Sequence, residues 1–137
     1  MRQELDDLLC ERYPDIFRDR QGDPAQTGMC WGFCCGDGWF DLIDSLCAEL
    51  TSKVKAGTMA PVVATQVKEK SGYLRFYIRD RFNREANSQA LRLIELAQQK
   101  AQRTCEQCGQ AAPLRIHDQG AVLCPACAVQ LVPPTIF

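Results

Sequence analysis

The chain contains one histidine, His117, and that scarcity removes several kinds of enzyme. A zinc protease of the H-E-x-x-H type needs two. A zinc deaminase needs H-x-E together with P-C-x-x-C. Here Asp118 and Gln119 follow His117, and Pro125 follows Cys124 instead of preceding it, so both halves of that signature fail. Long apolar runs are missing too. No stretch approaches the roughly 20 apolar residues of a membrane span. The first residues, MRQELDDLLCERYPD, are acidic and have no apolar h-region, so no secretory signal is read there. Internal repeats and low-complexity segments are absent. These absences lead us to expect a cytoplasmic protein with no membrane partner.

What is abundant is cysteine. Nine are present in 137 residues. In a reducing compartment they are expected as thiols or metal ligands, not disulfides. The length suits one domain, or one domain with a small appendage, and is enough to bury a core without disulfides. We place a helical and hairpin core in residues 1–103 and a four-cysteine zinc knuckle with its tail in 104–137.

The knuckle carries the strongest chemical signal. Residues 105–127 read CEQCGQAAPLRIHDQGAVLCPAC, a C-x2-C-x15-C-x2-C pattern. That spacing fits a structural zinc site, because each C-x2-C turn lets two sulfurs reach one ion. Four thiolates, Cys105, Cys108, Cys124 and Cys127, close the tetrahedral shell and suit structure better than catalysis. One zinc per chain is expected. The residues between the pairs suggest a hairpin turning at 118–120, as in a zinc ribbon or treble clef. His117 is read as a surface residue on that turn; a bond to a metal-bound sulfur, or replacement of one ligand, is the alternative.

Hydrophobic periodicity predicts helices over 2–12, 39–55 and 83–103. The first places Leu5, Leu8 and Leu9 on one stripe. The second places Phe40, Ile43, Leu46, Cys47, Leu50 and Val54. The third places Ala90, Leu91, Leu93, Ile94, Ala97 and Ala101, with Asn83, Asn87 or Ser88 as its cap. Residues 18–29 read as an exposed loop. Between the second and third helices, two β-rich runs over 62–79 flank Ser71-Gly72 and predict a hairpin. Its core face holds Val63, Thr65, Val67, Leu74, Phe76 and Ile78. Its other face holds Gln66, Lys68, Lys70, Tyr73, Arg75, Tyr77 and Arg79. That register sets Lys68 opposite Arg75, a like-charge pair that needs a carboxylate or an outside phosphate to offset it.

Charge is divided unevenly along the chain. Residues 1–50 carry 4 basic and 11 acidic side chains, while 51–137 carry 12 and 6. Either the halves neutralise each other, or they present patches of opposite sign to different partners. Lys68, Lys70, Tyr73, Arg75, Tyr77 and Arg79 form the candidate partner or nucleic-acid face, since aromatic and basic side chains interleave there.

The remaining question is the stretch MCWGFCCGDGWF, residues 29–40. A thiol nucleophile needs a base beside it, and the one histidine belongs to the knuckle segment. A second metal site could combine Cys30 with Cys34 or Cys35, and with Cys10 or Cys47. We read these cysteines instead as core residues among Trp31, Phe33, Trp39 and Phe40, with Gly36 and Gly38 permitting a tight turn. No catalytic residue is assigned. The terminal VPPTIF is expected to dock on the core.

Four blocks, CERYPDIF (10–17), CGDGWFDLIDSLC (35–47), VKEKSGYLRFYI (67–78) and TCEQCG (104–109), together resemble a group of small phage and prophage proteins that end in a zinc knuckle. The resemblance implies the metal role for Cys105, Cys108, Cys124 and Cys127, and implies no enzymatic activity. It also implies a phage accessory protein in a bacterial host cell, acting by binding a host protein or protein complex as a counter-defence, anti-CRISPR-like inhibitor would. A nucleic-acid-binding regulator is the alternative, and a thiol or metal-dependent enzyme the third. The expected fold is α+β: three helices around a β-hairpin, followed by the zinc-ribbon or treble-clef-like knuckle.

Overall fold

The computed structural model describes residues 1–113 and 120–131. It is an α+β fold with four helices and one three-stranded sheet. In chain order these are α1 (Gln3–Arg12), β1 (Phe33–Cys34), α2 (Phe40–Lys55), β2 (Ala64–Lys70), β3 (Tyr73–Ile78), α3 (Ser88–Ala101) and α4 (Pro125–Leu131). The expected 118–120 turn rests on residues 118 and 119, and with His117 and VPPTIF it lies outside the described residues.

The hairpin forms in the expected register. Val67 pairs with Phe76, Lys68 with Arg75 and Lys70 with Tyr73. Ser71 and Gly72 both adopt left-handed backbone, at φ 53° and 83°, which a two-residue turn of this hand requires. One departure follows from a bulge: Ala64, not Thr65, pairs with Ile78. The extra residue rotates Thr65 off the core face and puts Ala64 on it, fully buried. A third strand, β1, pairs in parallel with β2, Phe33 beside Val67 and Cys34 beside Lys68. Two residues between Gly32 and Cys35 show no periodicity, so sequence reasoning missed it.

The core forms between the sheet's inner face and the helices. Ile43, Leu46, Cys47 and Leu50 of α2 and Ala90, Ile94, Ala97 and Ala101 of α3 are buried along the expected stripes. Phe17 meets Phe33 edge-on at 4.9 Å and Phe76 at 6.3 Å. The helix expected from residue 83 starts at Ser88. Asn87 stands at the cap position, but its side chain donates to the carbonyls of Asp80 and Asn83 and accepts nothing from the helix. The preceding residues are thereby held in turns. The 18–29 segment is not wholly exposed, since Thr27 and Met29 are buried.

On α1 the buried pair is Leu9 and Asp6. Asp6 meets Arg20, Nε to Oδ1, at 3.0 Å, and accepts the Phe33 N–H at 3.4 Å. Arg20 also donates to the Cys30 carbonyl at 3.1 Å. Burial is tolerated because nearly every polar atom finds a partner. This network fixes α1, the 18–21 turn and the chain leading into β1. An acidic residue on a predicted polar face gives no sequence signal for such a role.

Candidate metal centre

The two halves of the cysteine pattern arrive on different local structures. Thr104 bridges to Ala111, closing a knuckle around Cys105 and Cys108. Inside it Cys105 donates its N–H to the Gln110 carbonyl at 2.7 Å, and Gly109 donates back to the Cys105 carbonyl at 2.9 Å. Gly109 has φ +81°, a conformation costly for any residue with a Cβ. The second pair sits at the start of α4. Cys124 precedes it, Pro125 takes the first position, where a missing N–H costs nothing, and Cys127 lies in the first turn. One pair on a knuckle and one on a helix start favours the treble-clef form of the two expected.

The four thiol groups converge. All four sulfurs lie within 4.8 Å of one another. Cys108 Sγ and Cys124 Sγ are 3.6 Å apart. That is too long for a disulfide at about 2.05 Å and close to the roughly 3.8 Å edge of a tetrahedron with 2.3 Å metal–sulfur bonds. Cys105, Cys124 and Cys127 are buried, and Cys108 is exposed. The cluster can hold a metal ion.

The electrostatics of the thiols favour a cation among them. Burial alone would push the Cys105 thiol up, but backbone N–H donors from Cys124, Cys108 and Gln107 outweigh it and bring the thiol down to about 6. Hydrogen bonding with Cys124, followed by burial and the other two sulfurs, raises Cys127 to about 12. The Cys105 thiolate is favoured while Cys108 and Cys127 resist ionising, as expected for like charges sharing a site. A divalent cation removes that resistance.

The knuckle is clamped to the 36–39 segment. Gly38 donates to the Glu106 carbonyl at 2.7 Å, and Gly36 to Glu106 Oε2 at 2.9 Å. Trp39, fully buried, donates its indole N–H to the Thr104 carbonyl at 2.9 Å. A Cβ on Gly36 would run into the Glu106 carbonyl, and one on Gly38 into those of Cys105 and Glu106. Neither glycine has a positive φ. They are required because two backbones touch, not because a turn needs their freedom, which corrects the sequence reading.

The other cysteines stay apart from this centre. Among the described residues, no other group of three or more potential ligands converges, so the second metal site built from Cys30, Cys34 or Cys35 does not form. Cys35 and Cys47 are buried, and burial first of all pushes Cys35 up to about 12. Cys34 points outward, because alternation along β1 turns Phe33 in. Trp31, expected in the core, is 69% exposed.

On the sheet's outer face Lys68, Lys70, Tyr73, Arg75 and Tyr77 share one side by register. Arg79 is drawn away, with Nη2 2.9 Å from Asp19 Oδ2. Arg81, not singled out from the sequence, lies over the Tyr77 ring at 4.3 Å and the Phe82 ring at 4.9 Å. Its signal was present as RDRF after β3, but periodicity could not show that the chain folds back there.

No protein-family model matches the chain, and no curated protein or solved structure matches it significantly. No helix among the described residues is long and apolar enough to cross a membrane.

Proposed function

We propose that this is a non-enzymatic, zinc-stabilised binding protein of the phage accessory kind, working in the cytoplasm of a bacterial host. The observation that carries the reading is the closed four-sulfur cluster wedged against the core. Four thiolates saturate a tetrahedral ion and leave no position for substrate or water, which is the arrangement of structural zinc. Soft sulfur ligands select zinc or iron over hard cations, and a single closed tetrahedral site suits zinc. A protein that spends its metal on shape acts through surfaces. Action on a host defence complex is the specific form that the phage resemblance suggests.

Two measurements test this. Metal analysis of protein purified without chelator should give one zinc per chain; iron, or no metal, would overturn the centre. Immobilised zinc-loaded protein should then retain a saturable partner from host lysate, and separate nuclease and protease treatments identify its class. Retention no greater than on a blocked resin would remove the binding role.

A further inference from the structure

The first half of the chain largely satisfies its own arginines: Arg2 with Asp37, Arg12 with Asp44 and Arg20 with Asp6. The second half does not. Among the described residues its one ion pair is Arg79 with Asp19. Lys68 and Arg75 face each other across the hairpin, and among the described residues no carboxylate lies within ion-pair distance of either, or of Lys70 and Arg81. The like-charge juxtaposition expected from the sequence is therefore real, and among the described residues no ion pair offsets it. Its natural complement is an external polyanion.

The aromatic side chains beside it define which polyanion. Arg81 lies over both the Tyr77 and the Phe82 ring, and Phe82 is 85% exposed. A solvent-facing phenylalanine braced by a guanidinium offers a flat π surface that no part of the described fold covers. Tyr73, with Arg75 over its ring at 5.4 Å, repeats the pairing four residues back along β3 on the same face. Aromatic side chains next to cations on a half-exposed sheet face match unpaired bases, which stack, with their phosphates held alongside. Duplex DNA hides its base faces, and this surface projects no helix to enter a groove. An acidic protein would satisfy the lysines but leave the stacked rings unexplained.

Resting on the binding-protein reading above, we propose that the outer face of the sheet binds single-stranded nucleic acid, with Tyr77 and Phe82, braced by Arg81, stacking bases and Lys68, Lys70 and Arg75 meeting phosphates.

The test is fluorescence anisotropy of zinc-loaded protein with oligothymidylate and oligouridylate of about 12 nucleotides; the two arms distinguish DNA from RNA. Three phosphate contacts give a salt slope of about −2.1, so affinity should fall about 20-fold between about 50 and about 200 mM salt. Lys70→Ala removes one contact at an exposed position and should shrink that drop to about 7-fold. Phe82→Ala should weaken binding about 5- to 150-fold at any salt, the range for one lost stacked base. Lys53→Ala, at the far end of α2, should change nothing. The proposal is overturned if no saturable binding occurs at low salt, if duplex binds as tightly, or if both face variants behave like Lys53→Ala. Equal competition by polyglutamate would reassign the face to an acidic protein and leave the general binding role intact. Cleavage of the oligonucleotide during the titration would instead overturn the non-enzymatic reading.

Discussion

Gly38→Ala separates two explanations of the glycine at this turn by the sign of its effect. If Gly38 were present for backbone freedom at an ordinary negative φ, alanine would restrict the unfolded chain and stabilise by about 0.4–1 kcal/mol. The structure demands the opposite. The new methyl group would occupy the space of the Cys105 and Glu106 carbonyls, and both are backbone, so neither can swing aside. The 36–39 segment and the knuckle must separate. Three hydrogen bonds go with that: Gly38 to the Glu106 carbonyl, Gly36 to the Glu106 carboxylate and Trp39 to the Thr104 carbonyl. Two neutral bonds at about 1 kcal/mol each and one to a carboxylate at about 1.5–3 give a loss of about 3.5–5 kcal/mol. Against a total stability of about 5–15 kcal/mol, that is large. Urea unfolding of the zinc-loaded protein, followed by near-ultraviolet circular dichroism, reads it as a lower midpoint. A chelator competition should show zinc affinity falling too, by about 100-fold or more if docking and metal binding are coupled. Gly57→Ala is the contrast: φ is +75° and nothing lies near its Cβ position, so only backbone strain of about 1 kcal/mol is expected. An unchanged or raised midpoint for Gly38→Ala would refute the close-contact argument.

Other perturbations follow from the same geometry. Stripping the metal should undock the knuckle and wet the Trp39 indole, seen as a red shift in tryptophan emission that zinc reverses; emission insensitive to metal would count against the clamp. Cys108→Ser, at the most exposed ligand, should forfeit much of the roughly 10–16 kcal/mol of apparent zinc binding energy and abolish stoichiometric zinc in metal analysis. In thiol alkylation of the zinc-loaded protein near pH 8, the first label should map to Cys34. Cys35, raised to about 12, and Cys47, raised well above the usual thiol range, both chiefly by burial, hold almost no thiolate there and should react only on unfolding. Asp6→Asn should cost about 2–4 kcal/mol, since it strips the charge partner from half-buried Arg20, whereas Asp37→Asn at the exposed Arg2 pair should cost under about 1 kcal/mol. Equal midpoints for these two variants would sink the distinction.

The sequence revealed those features whose physics is local. The hairpin register followed from one two-residue turn and alternation, and the buried stripes of α2 and α3 from periodicity. The thiol cluster followed from spacing, because C-x2-C confines two sulfurs to one turn whatever the fold. Features that depend on tertiary approach were not legible. Gly36 and Gly38 look like turn residues until the knuckle is laid against them. Asp6 looks like a solvent-facing acid until Arg20 reaches it from the next turn. The bulge at Thr65 and the two-residue β1 are settled by pairing partners that no short window contains. Arg79 and Arg81 show the same limit: two arginines a single residue apart, one claimed by Asp19 and the other folded back over Tyr77.

Taken together, these misread positions explain MCWGFCCGDGWF as one joint. Phe33 fills the core beside Val67, and Cys34 turns outward because alternation leaves it no choice. Gly36, Gly38 and Trp39 then grip the knuckle, while Gly32, at φ +76°, lets Asp6 and Arg20 close against the chain. Cysteine suits the two inward positions at 35 and 47 because a small apolar group is what the space admits. Reactivity is not needed to account for any of them. The joint also links the two ends of the electrostatic argument. It binds the acidic first half to the metal module through Glu106, and its strand β1 flanks β2, from which Lys68 and Lys70 project. A knuckle that lost its ion would therefore disturb the edge of the cationic sheet, and nucleic-acid affinity should fall on chelation even though no proposed contact residue is a metal ligand. Unchanged affinity after complete metal removal would show that the sheet holds its shape alone and that the clamp serves only the C-terminal module.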